Sequence, residues 1–225
     1  MKDALGDRMK GQYENRTRHM LPRRTYTIIR CDGKAFHTLT RNCDRLFDQA
    51  LSMAMSSAAW VLCKEAQGAC LGYTQSDEIS VLLQDFADIK TEAWFDGNIQ
   101  KIASVSASIV TDMFNQYWSS ASGDSAVFDA RVFTIPDPYE VENYFIWRQQ
   151  DASRNSLQML ARAYYSHGEL EGKGATDLHA MLHTKDVNWS DLPTRFKRGV
   201  GVRKQVDGGW NLDLEIPVWT QEREW

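Results

Sequence analysis

Several kinds of segment are absent from this chain of 225 residues. No apolar run approaches the roughly 20 residues that a membrane-spanning helix needs, and the charged first residues lack the apolar segment of a signal peptide. None of the four cysteines forms a CxxC pair, which argues against a zinc ribbon or a thioredoxin-like site. A GxxxxGK[ST] loop and a serine-nucleophile elbow are also missing, so neither a P-loop NTPase nor a serine hydrolase is supported. We therefore expect a cytoplasmic protein that makes no use of a membrane.

The charge balance is acidic, with a formal net charge of −4. Such a chain generates no global positive field that would attract nucleic acid. The local exception is a basic cluster between residues 195 and 204, which contains Arg195, Lys197, Arg198, Arg203 and Lys204. This cluster suits either a phosphate-binding patch or a solvated surface strand, and the residues alone leave both interpretations open.

The order of the secondary-structure signals predicts an α+β fold. Segments with strand and helix character follow one another as strand, helix, strand, strand, helix, strand, at 25–31, 48–66, 69–73, 78–84, 98–118 and 126–135. This is the ferredoxin-like split βαβ order, an antiparallel sheet with two helices on one face. We expect a catalytic core at 1–135 with an N-terminal helix, and an extension at 136–225 packed on that core. The extension is predicted to be helical first and to close with a β-hairpin formed by 196–206 and 210–216.

Three acids are the main functional candidates. Asp32 ends the first predicted strand, and Asp77 and Glu78 stand in the predicted hairpin. Because the first and third strands are neighbours in the split βαβ order, these acids should converge at one edge of the sheet. Clustered carboxylates repel one another, and magnesium ions are a common compensation, while Gly33 would let a metal or a phosphate approach the backbone. The alternative is that these residues form an ordinary turn and a surface hairpin.

Residues near the acids are candidates for nucleotide binding. Lys34 could neutralise a triphosphate, and Phe36 could cover a base or simply pack in the core. His37 could contact a base or a sugar, or cap the following helix. On the second long helix, Lys101 and Ser104 share a stripe that suits phosphate oxygens or, equally, close packing of the helix on the sheet.

Several separated motifs resemble, in the same order, those of the tRNA(His) guanylyltransferase family, and more closely those of its bacterial and phage guanylyltransferase-like branch. The principal motifs are Arg8-Met9-Lys10, Arg30-Cys31-Asp32-Gly33-Lys34-Ala35-Phe36-His37, Gln75-Ser76-Asp77-Glu78-Ile79-Ser80, Phe128-Asp129-Ala130-Arg131 and Tyr144-Phe145-Ile146-Trp147-Arg148-Gln149-Gln150-Asp151. The resemblance implies a palm-like catalytic domain akin to those of conventional polymerases and nucleotidyl cyclases.

The family's chemistry is implied in the same way. Asp32 and Asp77 would hold two magnesium ions with the Gly33 carbonyl, and Glu78 would support the site. Family members activate a tRNA 5′-monophosphate with ATP or GTP. The 3′-hydroxyl of an incoming nucleotide then displaces the leaving group, so the RNA grows in the 3′–5′ direction. A homotetramer assembled as a dimer of dimers is implied as well.

Expected contacts follow from the same motifs and from the basic cluster. The nucleotide pocket is expected to contain Asp32, Gly33, Lys34, Ala35, Phe36, His37, Arg45, Ser76, Asp77, Lys101 and Ser104. RNA contacts are expected from Arg131, Arg148, Asp151, Arg154, Asn155, Arg198 and Lys204. The run at 153–156 departs from the His-Ile-Asn-Asn run of the eukaryotic enzymes, which favours repair of 5′-truncated tRNAs over strict tRNA(His) specificity. A palm-fold nucleotide cyclase and a non-catalytic RNA-binding protein are the alternatives.

Overall fold

The computed structural model describes residues 3–41, 43, 47–118, 123–223 and 225. Its helices are Ala4–Gln12 (α1), Phe36–Leu39 (α2), Gln49–Glu65 (α3), Ile99–Tyr117 (α4), Pro138–Tyr164 (α5), His167–Leu170 (α6), Ala175–His183 (α7) and Thr194–Arg198 (α8). Its strands are Tyr26–Gly33 (β1), Ala69–Gln75 (β2), Glu78–Gln84 (β3), Phe128–Ile135 (β4), Val200–Lys204 (β5) and Trp210–Asp213 (β6). Short 3₁₀ helices lie at Glu14–Thr17, Trp94–Gly97 and Trp189–Asp191.

All of these strands form one six-stranded antiparallel sheet in the order β4-β1-β3-β2-β5-β6. The strands β1 and β3 lie side by side, as the split βαβ order requires, and their register places Asp32 opposite Glu78. The predicted α+β fold is therefore confirmed. Because β5 and β6 lengthen the sheet beyond β2, the C-terminal extension contributes strands to the sheet of the core. A division between 1–135 and 136–225 stays a prediction.

Different helices cover the two faces of the sheet, because successive side chains of a strand point to opposite faces. Ile29 and Cys31 are fully buried in one core with residues of α3 and α4. Ile28 is buried in a second core, together with residues of α5 and with Trp219 from the C-terminal segment. By the same alternation, Asp32 belongs to the face that α5 covers.

The helix α5 has 27 residues and connects the sheet to the remaining helices. Asp137 caps its N-terminus by accepting hydrogen bonds from two backbone N–H groups of the first turn, and Pro138 suits the first helical position. The first half of α5 packs on the sheet. Its second half packs against α7 in a third buried cluster that includes Leu157, Leu160 and Leu182.

Some local predictions need correction. The strand predicted at 196–206 begins only at Val200, because Thr194–Arg198 is helical. Gly199 ends that helix with a φ of +84°, and a Cβ at this position would lie 2.5 Å from the carbonyl oxygen of Thr74. The predicted N-terminal helix is present but ends at Gln12, and none of its residues is buried. Within the described part of the chain, no helix is both long and apolar enough to cross a membrane.

Candidate active site

Two aspartates meet at one end of the central strands. Asp32 is the penultimate residue of β1, and Asp77 lies in the short turn between β2 and β3. The backbone N–H of Gly33 donates to the carbonyl oxygen of Asp77 at 3.0 Å, which fixes the turn beside β1. Ser76 has a left-handed backbone with a φ of 51°, and its hydroxyl donates to Oδ1 of Asp77 at 3.1 Å. The structure thus brings Asp32 and Asp77 together, while their catalytic role stays a prediction.

Burial and neighbouring negative charges disfavour ionisation at this end of the sheet. Burial raises the pKa of Asp77, and the charge of Asp32 adds to the increase, against the lowering effects of backbone and Ser76 hydrogen bonds and of the Arg30 charge. Burial also raises the pKa of Cys31 to about 12, with contributions from the charges of Asp129 and Asp32. Asp129 lies opposite Asp32 on β4. The sequence did not single it out, although it stands in the Phe-Asp-Ala-Arg motif. Carboxylates gathered in this way favour a bound cation.

The two aspartates meet only part of the coordination that magnesium requires. Among the described residues, no three His, Cys, Asp or Glu side chains are grouped so that they could hold a metal ion. Magnesium usually keeps several waters and takes one or two carboxylates together with substrate phosphates. Asp32 and Asp77 supply two carboxylates, and burial together with the charge of Asp32 raises the pKa of Asp77. The residues therefore fit magnesium, provided that the substrate completes its coordination.

Glu78 has a different environment from its neighbour Asp77. It is 3% exposed, and its carboxylate accepts two hydrogen bonds from Arg148, Nε to Oε1 at 2.8 Å and Nη2 to Oε2 at 2.8 Å. Arg30 adds an ion pair, Nη2 to Oε2 at 2.6 Å. The carboxylate is therefore neutralised by two guanidinium groups. These bonds connect the start of β3, next to the turn, to α5 and β1.

The residues predicted to contact RNA divide into buried and exposed groups. Arg148 is only 4% exposed and bonds both Glu78 and Asp151. The predicted RNA contact of Arg148 therefore needs correction, because its guanidinium is buried and bonded within the protein. Arg131 is on the surface, and its Nη2 lies 3.8 Å from Oδ2 of Asp32. Arg154 is also on the surface, where its Nη2 lies 3.0 Å from Oδ1 of Asp151.

The basic cluster of residues 195–204 is divided between two places. Arg198 lies near the turn that carries Asp77, and its Nε donates to the carbonyl oxygen of Ile216 at 3.2 Å. Its own carbonyl accepts a hydrogen bond from Tyr73 at 2.6 Å. Lys204 stands at the other end of β5, next to Trp210. Because about 3.3 Å separates successive residues of a strand, Lys204 lies well away from the turn and does not share a site with Arg198.

The close approach of the Phe36 ring explains why residue 33 is a glycine. A Cβ at this position would lie 2.2 Å from the ring of Phe36. That ring is buried between Phe114 and Phe128, with centroid distances of 5.4 and 5.1 Å. Of the alternatives considered for Phe36, packing in the core is the one that the structure shows, and the ring cannot stack on a base from this position.

The rest of the first motif lies on the surface beside Asp32. Lys34, Ala35 and His37 are exposed, and Ala35 has a left-handed backbone with a φ of 53°. His37 Nε2 lies 3.1 Å from the hydroxyl of Thr38. Strained backbone of this kind is concentrated at binding and catalytic sites, which is consistent with the predicted pocket.

The predicted helix stripe lies at the wrong end of α4 for this site. Thr111 and Asn115 near the C-terminus of α4 bond the backbone at residues 126–128, beside the aspartates. Lys101 and Ser104 are near the N-terminus, and Lys101 is about 21 Å from Asn115 along the axis at about 1.5 Å per residue. Within one chain these two residues therefore do not reach a nucleotide at Asp32. The predicted contact of Arg45 lies outside the described residues.

A cavity of about 110 Å³ opens beside the turn. It is lined by Gln75 and Ser76 from the hairpin, Asn155 from α5, and Arg195 and Phe196 from α8. The structure thus joins two predicted residues, Ser76 and Asn155, with Arg195, which the sequence placed only in the basic cluster. Polar groups and a cation beside the aspartates suit a phosphorylated ligand.

A split βαβ sheet with adjacent aspartates at the end of its central strands is the arrangement of palm-type enzymes that act on nucleotides. Residues 6–136 match the family model described as tRNAHis guanylyltransferase (Thg1). This match covers more than half of the chain, and the chain belongs to that family. It is accordingly a nucleotidyltransferase.

Relatives and solved structures agree with this assignment. The chain is 28% identical over 218 residues to the tRNA(His) guanylyltransferase of Schizosaccharomyces pombe, covering 89% of this chain and 81% of the relative. A bacterial tRNA(His) guanylyltransferase-like protein in complex with ATP superposes with a TM-score of 0.91 at 44% identity, covering 98% of this chain and 96% of that one. A GTP complex of a bacterial tRNA(His) guanylyltransferase-like protein gives a TM-score of 0.83 at 40% identity, covering 99% and 96%.

Proposed function

We propose that this protein is a magnesium-dependent nucleotidyltransferase that adds nucleotides in the 3′–5′ direction to the 5′ end of tRNA. The reaction is either repair of a truncated 5′ end or addition of guanosine to tRNA(His). The observation that carries the proposal is the meeting of Asp32 and Asp77 at a turn whose Ser76 also lines a cavity, in a chain whose structural neighbours include complexes with ATP and GTP.

The reaction would proceed in two transfers. In the first, an oxygen of the tRNA 5′-phosphate attacks the α-phosphorus of ATP or GTP and releases pyrophosphate. In the second, the 3′-hydroxyl of the incoming nucleotide loses its proton, attacks the activated 5′-phosphorus and displaces the nucleoside monophosphate. Both transfers build negative charge on attacking and leaving oxygens, so the main catalytic requirement is positive charge at fixed positions.

The proposed roles follow from the environment of each side chain. Asp32 and Asp77, with the Gly33 carbonyl, would hold magnesium, which supplies positive charge to the attacking and leaving oxygens when bound. Glu78 keeps the turn in place through Arg148, so its role is positional. Arg131 is 60% exposed at its side chain and could turn from Asp32 towards a phosphate of the RNA. Lys34 is exposed two residues after Asp32 and would offer a second cation to a phosphate.

The test is incorporation of labelled GTP into a tRNA that lacks one to three 5′ nucleotides and carries a 5′-phosphate. Wild-type protein should extend this RNA with ATP, GTP and magnesium present, and should not do so after EDTA treatment. Asp77→Ala should lose incorporation while keeping its far-ultraviolet circular dichroism. The matched control is Asp112→Ala, at an exposed helical position on α4, which should keep full activity. An unextended RNA with well-folded wild-type protein would refute the proposal.

Testing each NTP separately on matched RNAs distinguishes repair from fixed guanosine addition. Incorporation that follows the opposing nucleotide of the acceptor stem indicates repair, whereas guanosine addition regardless of that nucleotide indicates tRNA(His) guanylylation. Conversion of free nucleotide to a cyclic product would instead indicate a cyclase. RNA binding without any turnover would indicate a non-catalytic RNA-binding protein.

We also propose a homotetramer built as a dimer of dimers, and a cytoplasmic location where tRNA and nucleotides are abundant. An observation that supports association is the apolar side of α1 and the residue after it. Leu5, Met9 and Tyr13 are 60%, 42% and 62% exposed at four-residue spacing, which leaves an apolar stripe without cover. Sedimentation velocity of the purified chain measures the assembly, and fractionation of cells measures the location.

A further inference from the structure

The second half of α5 forms one wall of a surface trough that the family model, which ends at residue 136, does not cover. The trough consists of two adjoining cavities of about 290 and 100 Å³ between α5 and the α6–α7 segment. Both cavities share Gln158, Lys173 and Leu178 as lining residues. They are therefore consecutive parts of one groove, which we call the α5–α7 trough.

The charge of this trough is opposite to that of the whole protein. Arg154, Arg162 and Lys173 line it, together with His167 and His179, and the carboxylate that lines it is Glu171. Within the described part of the chain, the side chains of Arg162 and Lys173 make no hydrogen bond or ion pair. On a chain with a formal net charge of −4, uncommitted cations in one groove favour an anionic ligand.

The trough is connected to the catalytic turn by a chain of ion pairs. Glu78 next to the turn bonds Arg148, Arg148 bonds Asp151, and Asp151 bonds Arg154 at the mouth of the trough. From Arg148 to Arg162 the helix rises about 21 Å. One strand of a nucleic acid helix carries a phosphate about every 3.4 Å along the axis, so this distance corresponds to roughly six phosphates.

We propose that the α5–α7 trough binds the sugar-phosphate backbone of the RNA stem whose 5′ end lies at Asp32 and Asp77. The cavities accommodate ribose and phosphate groups but are too small to admit a whole duplex, so the stem lies over the trough with one strand in it. The floor, which includes Leu157, Leu178 and Trp189, is apolar and would pack against the sugar, while the cations bind the phosphates. This inference rests on the proposed function for the identity of the RNA.

The experiment measures binding of RNA by fluorescence anisotropy, without nucleotide or magnesium, so that it does not depend on catalysis. The variant Arg162→Gln/Lys173→Gln should raise the Kd for a full-length tRNA about tenfold, because charge-assisted phosphate contacts are lost. The slope of log K against log salt should fall by about two, one for each contact. Glu171→Lys should have the opposite effect and lower the Kd. Lys10→Gln/Lys90→Gln removes the same charge from exposed positions outside the trough and should leave Kd and slope near wild type.

RNA length gives a second readout. A hairpin with the same 5′ end and a stem of about three base pairs ends before Arg162 at about 3.4 Å per phosphate, so the double variant should bind it as wild type does. An unchanged Kd and salt slope for full-length tRNA overturns the proposal, and so does equal weakening for both RNAs. Wild-type protein that binds through the trough but adds no nucleotide would leave this inference standing and refute the proposed function.

Discussion

Replacing Arg148 with methionine tests whether the turn that carries Asp77 depends on a neutralised Glu78. Arg148 donates two hydrogen bonds of 2.8 Å to the Glu78 carboxylate, and the two residues are 4% and 3% exposed. Methionine keeps a long side chain of helix-compatible shape, so the change removes charge and hydrogen bonds more than volume. The variant leaves a buried carboxylate with Arg30 as its remaining cation.

The expected loss of stability is large. Removing one partner of a buried ion pair costs about 3–5 kcal/mol, because the other charge is left uncompensated. Since Arg30 still bonds Glu78, we expect the lower end, about 3 kcal/mol. For a chain of this length each kcal/mol shifts Tm by about 2–4 °C, so Tm should fall by roughly 6–12 °C. Incorporation of nucleotide should fall as well, because the turn that carries Asp77 loses its support.

A double-mutant cycle measured by thermal and denaturant unfolding provides the assay. Glu78→Gln/Arg148→Met removes both charges, so it should be more stable than the sum of the single variants predicts, by about 0.5–3 kcal/mol. The matched control is Arg154→Met. Arg154 is also ion-paired but is 58% exposed, and its loss should cost less than about 1 kcal/mol. If Arg148→Met costs no more than this control, or if the cycle is additive, the proposed role of the pair is wrong.

Further predictions concern the aspartates and the glycine beside them. Because burial and Asp32 raise the pKa of Asp77 in the folded state, its charge lowers stability once the pH exceeds the ordinary value of about 3.9. Asp77→Asn should therefore have a higher Tm than wild type at pH 7 and an equal Tm near pH 3. It should incorporate no nucleotide at either pH. A lower Tm than wild type at pH 7 would contradict this reasoning. Gly33→Ala places a Cβ 2.2 Å from the Phe36 ring and should cost about 1–3 kcal/mol in urea unfolding, whereas wild-type stability would show that the ring moves freely. Magnesium at 100 times its Kd should stabilise wild-type protein by about 2.7 kcal/mol and Asp77→Asn much less, as measured by thermal shift before and after EDTA.

The sequence predicted the parts of the site that depend on strand order. Once the split βαβ order is recognised, β1 and β3 must be neighbours, and Asp32 and Asp77 then lie at the same end of the sheet. Periodicity also identified α4, but it cannot tell which end of a helix lies over which end of a sheet, so it could not show that Lys101 lies at the end remote from Asp32. The motif containing Arg148 was recognised, but its burial depends on α5 crossing the far face, which the local sequence does not specify.

The turn between β2 and β3 places two adjacent acids in opposite electrostatic environments. Glu78 belongs to the strand, and its side chain faces α5, where Arg148 and Arg30 bond it. Asp77 belongs to the turn, where burial and the charge of Asp32 raise its pKa. A carboxylate that is already neutralised gains little from a cation, whereas an uncompensated one gains much. Arg148 and Arg30 bond Glu78 directly. By contrast, the arginine paired with Asp32 is exposed and lies 3.8 Å away, and Arg30 acts on Asp77 only through its charge. Asp32 and Asp77 are therefore the carboxylates that gain most from magnesium.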